Sequence, residues 1–101
     1  MSDDYSADLA DYASTRTKNV KAASRALREA CIKAAATNDS HAQIARRIRE
    51  TLMDAGQAEP KGTASKVATV ALWLRAGGSW PEGGSLTSAY ESATLHKRLN
   101  P

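Results

Sequence analysis

The sequence lacks phenylalanine, has a single cysteine and contains no long apolar run. The one cysteine, Cys31, cannot form a disulfide within the chain, which favours a reducing compartment. No stretch approaches the roughly 18 apolar residues that a membrane-spanning helix needs. The N-terminal residues Met-Ser-Asp-Asp-Tyr are too acidic and polar for a secretory signal. We therefore expect a cytoplasmic protein with no membrane segment.

Motifs typical of catalysis and of metal binding are also missing. The acidic residues are scattered, and there is no nucleophile elbow, no HExxH and no paired CxxC. His41 has no metal-ligating residue three or four positions later, and His96 lies more than fifty residues away. Cys31 falls on an apolar helical stripe, which is typical of a core residue. The sequence thus predicts a protein that is not an enzyme and uses no metal and no cofactor.

Helix-forming residues are what the chain has in abundance. Alanine is common, and alanine is the residue most favourable to helix. The β-branched residues occur singly or in pairs and never alternate as they would in a strand. A chain of 101 residues fits a single domain. We predict an all-α fold, a small bundle of four to five helices.

Charge divides the chain near residue 15. Residues 1–15 contain four aspartates and no base, net −4, whereas residues 16–101 contain all 14 lysines and arginines against seven acids, net +7. The formal charge of +3 therefore combines an acidic leader with a basic helical domain. Tyr5, Leu9 and Tyr12 share one helical face and predict a short helix in the leader. The basic domain favours a polyanionic partner, while the leader is either solvated or an arm that mimics such a partner.

The next predicted helix covers residues 16–36 and carries two stripes at spacings of three and four. The apolar stripe consists of Val20, Ala23, Leu27, Cys31 and Ala34. The basic stripe consists of Lys18, Lys21, Arg25 and Arg28. A basic row of this kind can follow a phosphate backbone, or it can simply keep an alanine-rich helix soluble.

Two shorter helices follow, separated by a turn. Ser40 and Gln43 form a capping box for a helix over residues 41–55, and Gly56 is suited to end it. Three arginines project from this helix: Arg46, Arg47 and Arg49. After the turn at residues 57–62, a helix is predicted to reach about residue 76, with Thr63 or Ser65 as its cap. Basic and hydroxyl residues cluster at its start: Lys61, Thr63, Ser65, Lys66 and Thr69.

A glycine-rich loop at residues 77–85 precedes the last helix, which runs from Leu86 to about Leu99. Trp80 in this loop either folds back over the core or anchors a protein partner. In the last helix one face carries Leu86, Tyr90 and Ala93, and another carries Leu95 and Leu99. The second apolar face indicates a side that is left for a neighbour.

Residues 40–77 resemble a helix-turn-helix DNA-binding domain. Ile44, Ala45 and Ile48 look like the first helix of that motif. In its compact form a glycine and an apolar residue would follow, but Arg49 and Glu50 stand there, so the first helix continues and the turn is lengthened. A second register, with residues 70–74 as the first helix and 86–90 as the second, fits less well because its second helix has few base-reading side chains.

The resemblance implies a sequence-specific transcriptional regulator that binds double-stranded DNA as a dimer, with the helix after residue 62 in the major groove. Size and alanine content favour a bacterial, phage or plasmid origin. The expected DNA contacts are Arg46, Arg47, Arg49, Lys61, Thr63, Ser65, Lys66 and Thr69. Secondary phosphate contacts are expected from Lys18, Lys21, Arg25 and Arg28. The alternatives are a helical adaptor or inhibitor that binds a partner protein through Trp80 or the last helix, and a structural homodimer.

Overall fold

The computed structural model describes residues 5–99, which form five helices and no strand. These are α1 (Ser6–Thr15), α2 (Val20–Ala35), α3 (His41–Asp54), α4 (Thr63–Arg75) and α5 (Leu86–Leu99). The predicted all-α fold is confirmed. Asp3 and Asp4 of the acidic leader lie outside the described residues. Within the described range, no helix combines the length and the apolar character that a membrane span requires.

Helix α4 is the centre of the bundle. It packs against α2, α3 and α5, because apolar residues occur on almost every side of it. Ala64, Ala68 and Ala71 have no exposed surface, and neither do Val67 and Val70. The three alanines are small enough to let neighbouring helices approach α4 closely. As a result α4 keeps only a narrow part of its surface in contact with solvent.

Helix α1 belongs to the same core as the other helices. Tyr5, Leu9 and Tyr12 are buried, as their spacing requires for a helix that packs on one side. Helix α1 lies against α2 and α3, and Asp8 forms an ion pair with Lys33 of α2 at 2.9 Å. The short helix predicted for the leader is therefore present, and it packs on the bundle through one face while its other face, with Asp11, is exposed.

Helix α2 begins later than predicted. The side-chain oxygen of Asn19 accepts a hydrogen bond from the Ala22 amide at 3.1 Å and caps the helix at its first turn. Val20 is consequently the first helical residue and is 74% exposed, so its predicted place in the core is wrong. The other members of the apolar stripe are buried, as predicted: Ala23, Leu27, Cys31 and Ala34.

The start of α3 agrees with the prediction, but the start of α4 does not. The Gln43 amide donates to Ser40 Oγ at 3.1 Å, and the Ser40 amide donates to Gln43 Oε1 at 2.7 Å, which completes the capping box. Neither Thr63 nor Ser65 caps α4. Instead the Ala64 amide donates to the carboxylate of Glu59 at 2.9 Å. Gly62, with φ of 78°, makes the left-handed turn that brings Glu59 back to the helix start.

Two side chains close the bundle at its other end. The Trp80 indole donates to the carbonyl of Gly84 at 2.9 Å and packs against the core, as a loop tryptophan that covers a small core should. Arg75 of α4 donates to the carbonyls of Ala34, Ala35 and Asp39 at 3.2, 3.2 and 2.8 Å. These bonds join the end of α2 and the turn before α3 to α4.

Replacing a buried isoleucine should reveal how much of the stability comes from this core. Ile48→Ala is expected to lower the free energy of unfolding by about 2–5 kcal/mol, because Ile48 is fully buried and its truncation leaves a cavity. Met53→Ala on the same helix is the matched control; Met53 is 72% exposed, so the change should stay within about 0.5 kcal/mol. Urea unfolding followed by circular dichroism measures both. Equal losses for the two variants would contradict this packing.

Candidate nucleic-acid interface

The three arginines of α3 do not share one face. Arg47 and Arg49 lie about 160° apart around the helix axis, because each residue turns an α-helix by about 100°. Arg49 faces the connection to α4, where its Nε donates to Glu59 Oε1 at 3.0 Å. Arg46 is exposed and lies one turn from Arg49 on the same side of the helix. Arg49 therefore faces the connection that leads into α4, Arg46 is exposed on the same side of α3, and Arg47 lies on the other side.

Arg47 takes part in a junction with α1. Its guanidinium lies 4.8 Å from the centre of the Tyr5 ring and 3.9 Å from Asp39 Oδ2. The Tyr5 hydroxyl donates to the same Asp39 oxygen at 2.6 Å. Burial, together with this bond to a carboxylate, raises the pKa of Tyr5 to about 12. The Arg47 side chain is 40% exposed and takes part in contacts within the protein, and its contact with nucleic acid stays a prediction.

The predicted contacts at the start of α4 divide between buried and accessible residues. Thr63 is only 9% exposed, which leaves it little surface for a base or a phosphate, and its contact with DNA stays a prediction. Lys61 and Ser65 are exposed. Lys66 is half-buried, with its ammonium 5.7 Å from the centre of the Tyr90 ring. The accessible charges here are thus Lys61 and the partly shielded Lys66.

Four residues, the last of which is the C-cap that follows the helix, form a partly exposed side of α4 that we call the open strip. They follow one another at helical spacings of four, three and four: Ser65, Thr69, Leu72 and Ala76. The Thr69 hydroxyl lies 3.1 Å from Nε2 of His41 in α3, so this predicted contact already has a hydrogen-bond partner. The open strip is therefore narrow, and α3 closes one of its sides.

Helix α5 closes the other side of the open strip. Ala93, His96 and Lys97 line a cleft of about 180 Å³ together with His41 of α3 and residues of α4. The α4 residues in this lining are Thr69, Leu72, Trp73 and Ala76. Sequence reasoning missed His41, His96 and Lys97. The i, i+3, i+4 spacing of Ala93, His96 and Lys97 places these three residues on one face of α5 and could have been read from the sequence. No sequence pattern places His41 of α3 in the same lining.

The basic row of α2 faces away from α4. Lys21, Arg25 and Arg28 are exposed on the side of α2 opposite its buried stripe. Cys31 lies on that buried stripe, where its Sγ is 3.9 Å from the carbonyl of Val67 in α4. Arg25 lines a shallow groove with Asp8, Asp11 and Glu29, among other residues. This row therefore lies on a different face from the open strip, and its role as a set of secondary phosphate contacts stays a prediction. Lys18 precedes α2 and lines another groove, together with Asp54 and Gln57.

Cys31 itself is a core residue, as predicted. It is fully buried, and burial raises the pKa of its thiol to about 12, so the reactive thiolate is suppressed. Within residues 5–99, no three side chains of the His, Cys, Asp and Glu types lie close enough to hold a metal ion.

No protein-family model matches the chain, and no curated protein or solved structure matches it either.

The junction at Tyr5 generates a prediction about alkaline pH. A raised pKa means that the buried neutral phenol stabilises the fold fully below the unfolded value of 10.0, and that this contribution is lost as pH rises through about 12. Tyr5→Phe should lower the free energy of unfolding by about 1–3 kcal/mol at neutral pH, since the bond to Asp39 is removed. The difference in free energy of unfolding between the wild-type protein and Tyr5→Phe should then shrink between pH 10 and 12. Urea titrations across pH 8–12 test this, and a gap that stays constant over that range would contradict the assigned role of Tyr5.

Proposed function

We propose that this protein binds double-stranded DNA through the open strip of α4 and its borders, in the manner of a small transcriptional regulator. The observation that carries the proposal is the set of cationic residues around the strip. Lys97 lines the cleft at its C-terminal part, Lys66 lies in the first turns of α4, and Lys61 precedes the helix. Arg49 faces the connection that leads into α4, and Arg46 is exposed on the same side of α3. Charges on both borders suit the phosphates on the two sides of a groove.

The burial of α4 decides how such a complex would work. A recognition helix reads base edges with exposed side chains, and α4 offers Ser65 and the partly exposed Thr69. Phosphate contacts from the borders would therefore supply most of the affinity. Helices α3 and α4 keep the order of a helix-turn-helix pair, with residues 55–62 as a longer connection. Arg49 forms an ion pair with Glu59, and this pair would have to break if Arg49 binds a phosphate.

A second part of the proposal is a dimer formed through the outer face of α5. Leu95 is 55% exposed and Leu99 is 71% exposed. Leu95 lines a shallow groove with Glu91 and Arg98. If two copies of α5 pair in opposite directions about Leu95, Glu91 of each copy lies opposite Arg98 of the other. This face is thus self-complementary in charge, as a two-fold interface requires.

The exposed leucines of α5 also favour the second candidate function, a helical adaptor or inhibitor that binds another protein. Trp80 adds no support to it, because its indole is bonded to Gly84 and packed against the core. The two functions differ in the surface they use. DNA binding requires the basic borders of the open strip, whereas an adaptor requires Leu95 and Leu99.

Two pairs of charge-removing variants test the DNA surface. Arg46→Gln with Lys61→Gln removes two charges beside the open strip, and Lys21→Gln with Arg28→Gln removes two from the far face of α2. The first pair should weaken binding to a labelled duplex and reduce the slope of log K against log salt by about two, since each phosphate contact contributes about 0.9. The second pair should leave the slope unchanged. Fluorescence anisotropy between about 50 and 200 mM salt measures both.

Two results would contradict DNA binding at this surface. One is the absence of any retained duplex at the lowest salt. The other is an equal loss of duplex affinity in the two double variants, which would indicate attraction to net charge without a defined site. Capture of a single protein partner that survives nuclease treatment and requires Leu95 would instead favour the adaptor.

The dimer is tested by one substitution on α5. Leu95→Glu should convert the dimer to a monomer in sedimentation velocity, because it places a carboxylate in the apolar centre of the interface and next to Glu91. Met53→Glu, on the exposed side of α3, makes the same change in charge and should remain dimeric. A wild-type chain that sediments as a monomer at every concentration would exclude the interface, and so would dissociation by both variants.

A further inference from the structure

The cleft between α4 and α5 has the size and the lining of a small-molecule site. Its walls are largely apolar and include Leu72, Trp73, Ala76 and Ala93. Its volume of about 180 Å³ exceeds the roughly 150 Å³ of an apolar protein cavity that holds one benzene ring. An aromatic ring therefore fits beside the Trp73 indole, where an offset or edge-to-face contact is favourable.

The wall formed by Trp73 is fixed by the loop that follows α4. The backbone of Gly78 lies directly against the indole, so a Cβ at this position would clash with Trp73 ring atoms. The Gly78 amide also donates to the carbonyl of Trp73 at 2.9 Å. A ring that enters the cleft thus meets a surface that is already in place, and little ordering is needed on binding.

The polar groups of the cleft favour an anion. Lys97 lines it and has no ion-pair partner among residues 5–99, and no acidic residue contributes to the lining. Thr69 and His41 lie together on the α3 side, with 3.1 Å between Oγ1 and Nε2. When the imidazole donates to the hydroxyl oxygen, the hydroxyl proton is left to donate to a carboxylate. The lining thus supplies one positive charge, from Lys97, and one hydrogen-bond donor, from Thr69.

We propose that this cleft binds a small aromatic carboxylate, with the ring against Trp73 and Leu72 and the carboxylate between Lys97 and Thr69. The cleft shares Thr69, Leu72, Ala76 and Lys97 with the proposed DNA surface. Ligand binding here does not require that the protein bind DNA, because the test below measures the ligand alone.

Titration with sodium benzoate, followed by proton–nitrogen NMR, tests the site directly. The indole N–H signal of Trp73 should shift and saturate. The signal of Trp80 should stay in place, because its indole is bonded to Gly84 outside the cleft. Benzamide, which has the same ring without the charge, should bind roughly tenfold more weakly because it loses the charge-assisted contact with Lys97. Lys97→Gln should reduce benzoate binding by a similar factor and leave benzamide binding unchanged.

A steric variant provides the second test. Ala76→Leu should abolish the Trp73 shift by filling the cleft, and Ala76 is exposed enough at the end of α4 to accept the larger side chain. Ala36→Leu is the matched control, since Ala36 is also exposed and occupies the equivalent position at the end of α2. Joint, non-saturating shifts of Trp73 and Trp80 would overturn the proposal. Equal binding of benzoate and benzamide, or benzoate binding that survives in Ala76→Leu, would overturn it too.

Discussion

The burial of α4 is the constraint on which the other features of this protein depend. Helix α4 is covered by α2, α3 and α5. The core therefore packs around α4, and the open strip is the main part of its surface that contacts solvent. The positions of the basic residues and of the cleft follow from that arrangement. The borders of the strip carry the proposed DNA contacts, and the cleft exists because α5 lies beside the strip without covering it. The basic row of α2 is excluded from this face because α2 covers the opposite side of α4.

The composition of the core explains why its edges are aromatic and hydrogen-bonded. Phenylalanine is absent, and the interior of α4 is largely alanine and valine. The larger rings belong to tyrosine and tryptophan, whose polar atoms need partners when they are buried. Tyr5 meets that need with Asp39, and Trp80 meets it with Gly84. These bonds lie at the boundary between core and surface, where each ring has one apolar and one polar side.

Helix positions and the capping box of α3 could be predicted because local spacing and local hydrogen bonding decide them. The cap of α4 could not, since Thr63 and Ser65 have the right side chains and the choice of Glu59 depends on how the connection folds back at Gly62. The same limit applies to the candidate site. Arg47 and Arg49 are equivalent in sequence, and only the tertiary fold gives Arg47 the Tyr5 ring and Asp39 as neighbours and Arg49 the carboxylate of Glu59. The presence of His41 and His96 in the lining of one cleft is likewise a product of the tertiary fold.

Asp39 has a consequence for how the chain folds. Its side chain accepts the Tyr5 hydroxyl across 34 residues, and its carbonyl accepts Arg75 across 36 residues. The turn before α3 therefore closes two loops of nearly equal length, one toward each end of the chain. Loop-closure entropy grows only slowly with length, so the two closures oppose folding to almost the same extent. The N-terminal and C-terminal parts of the bundle are thus tied to the same short turn, and loop-closure entropy gives neither tie an advantage over the other.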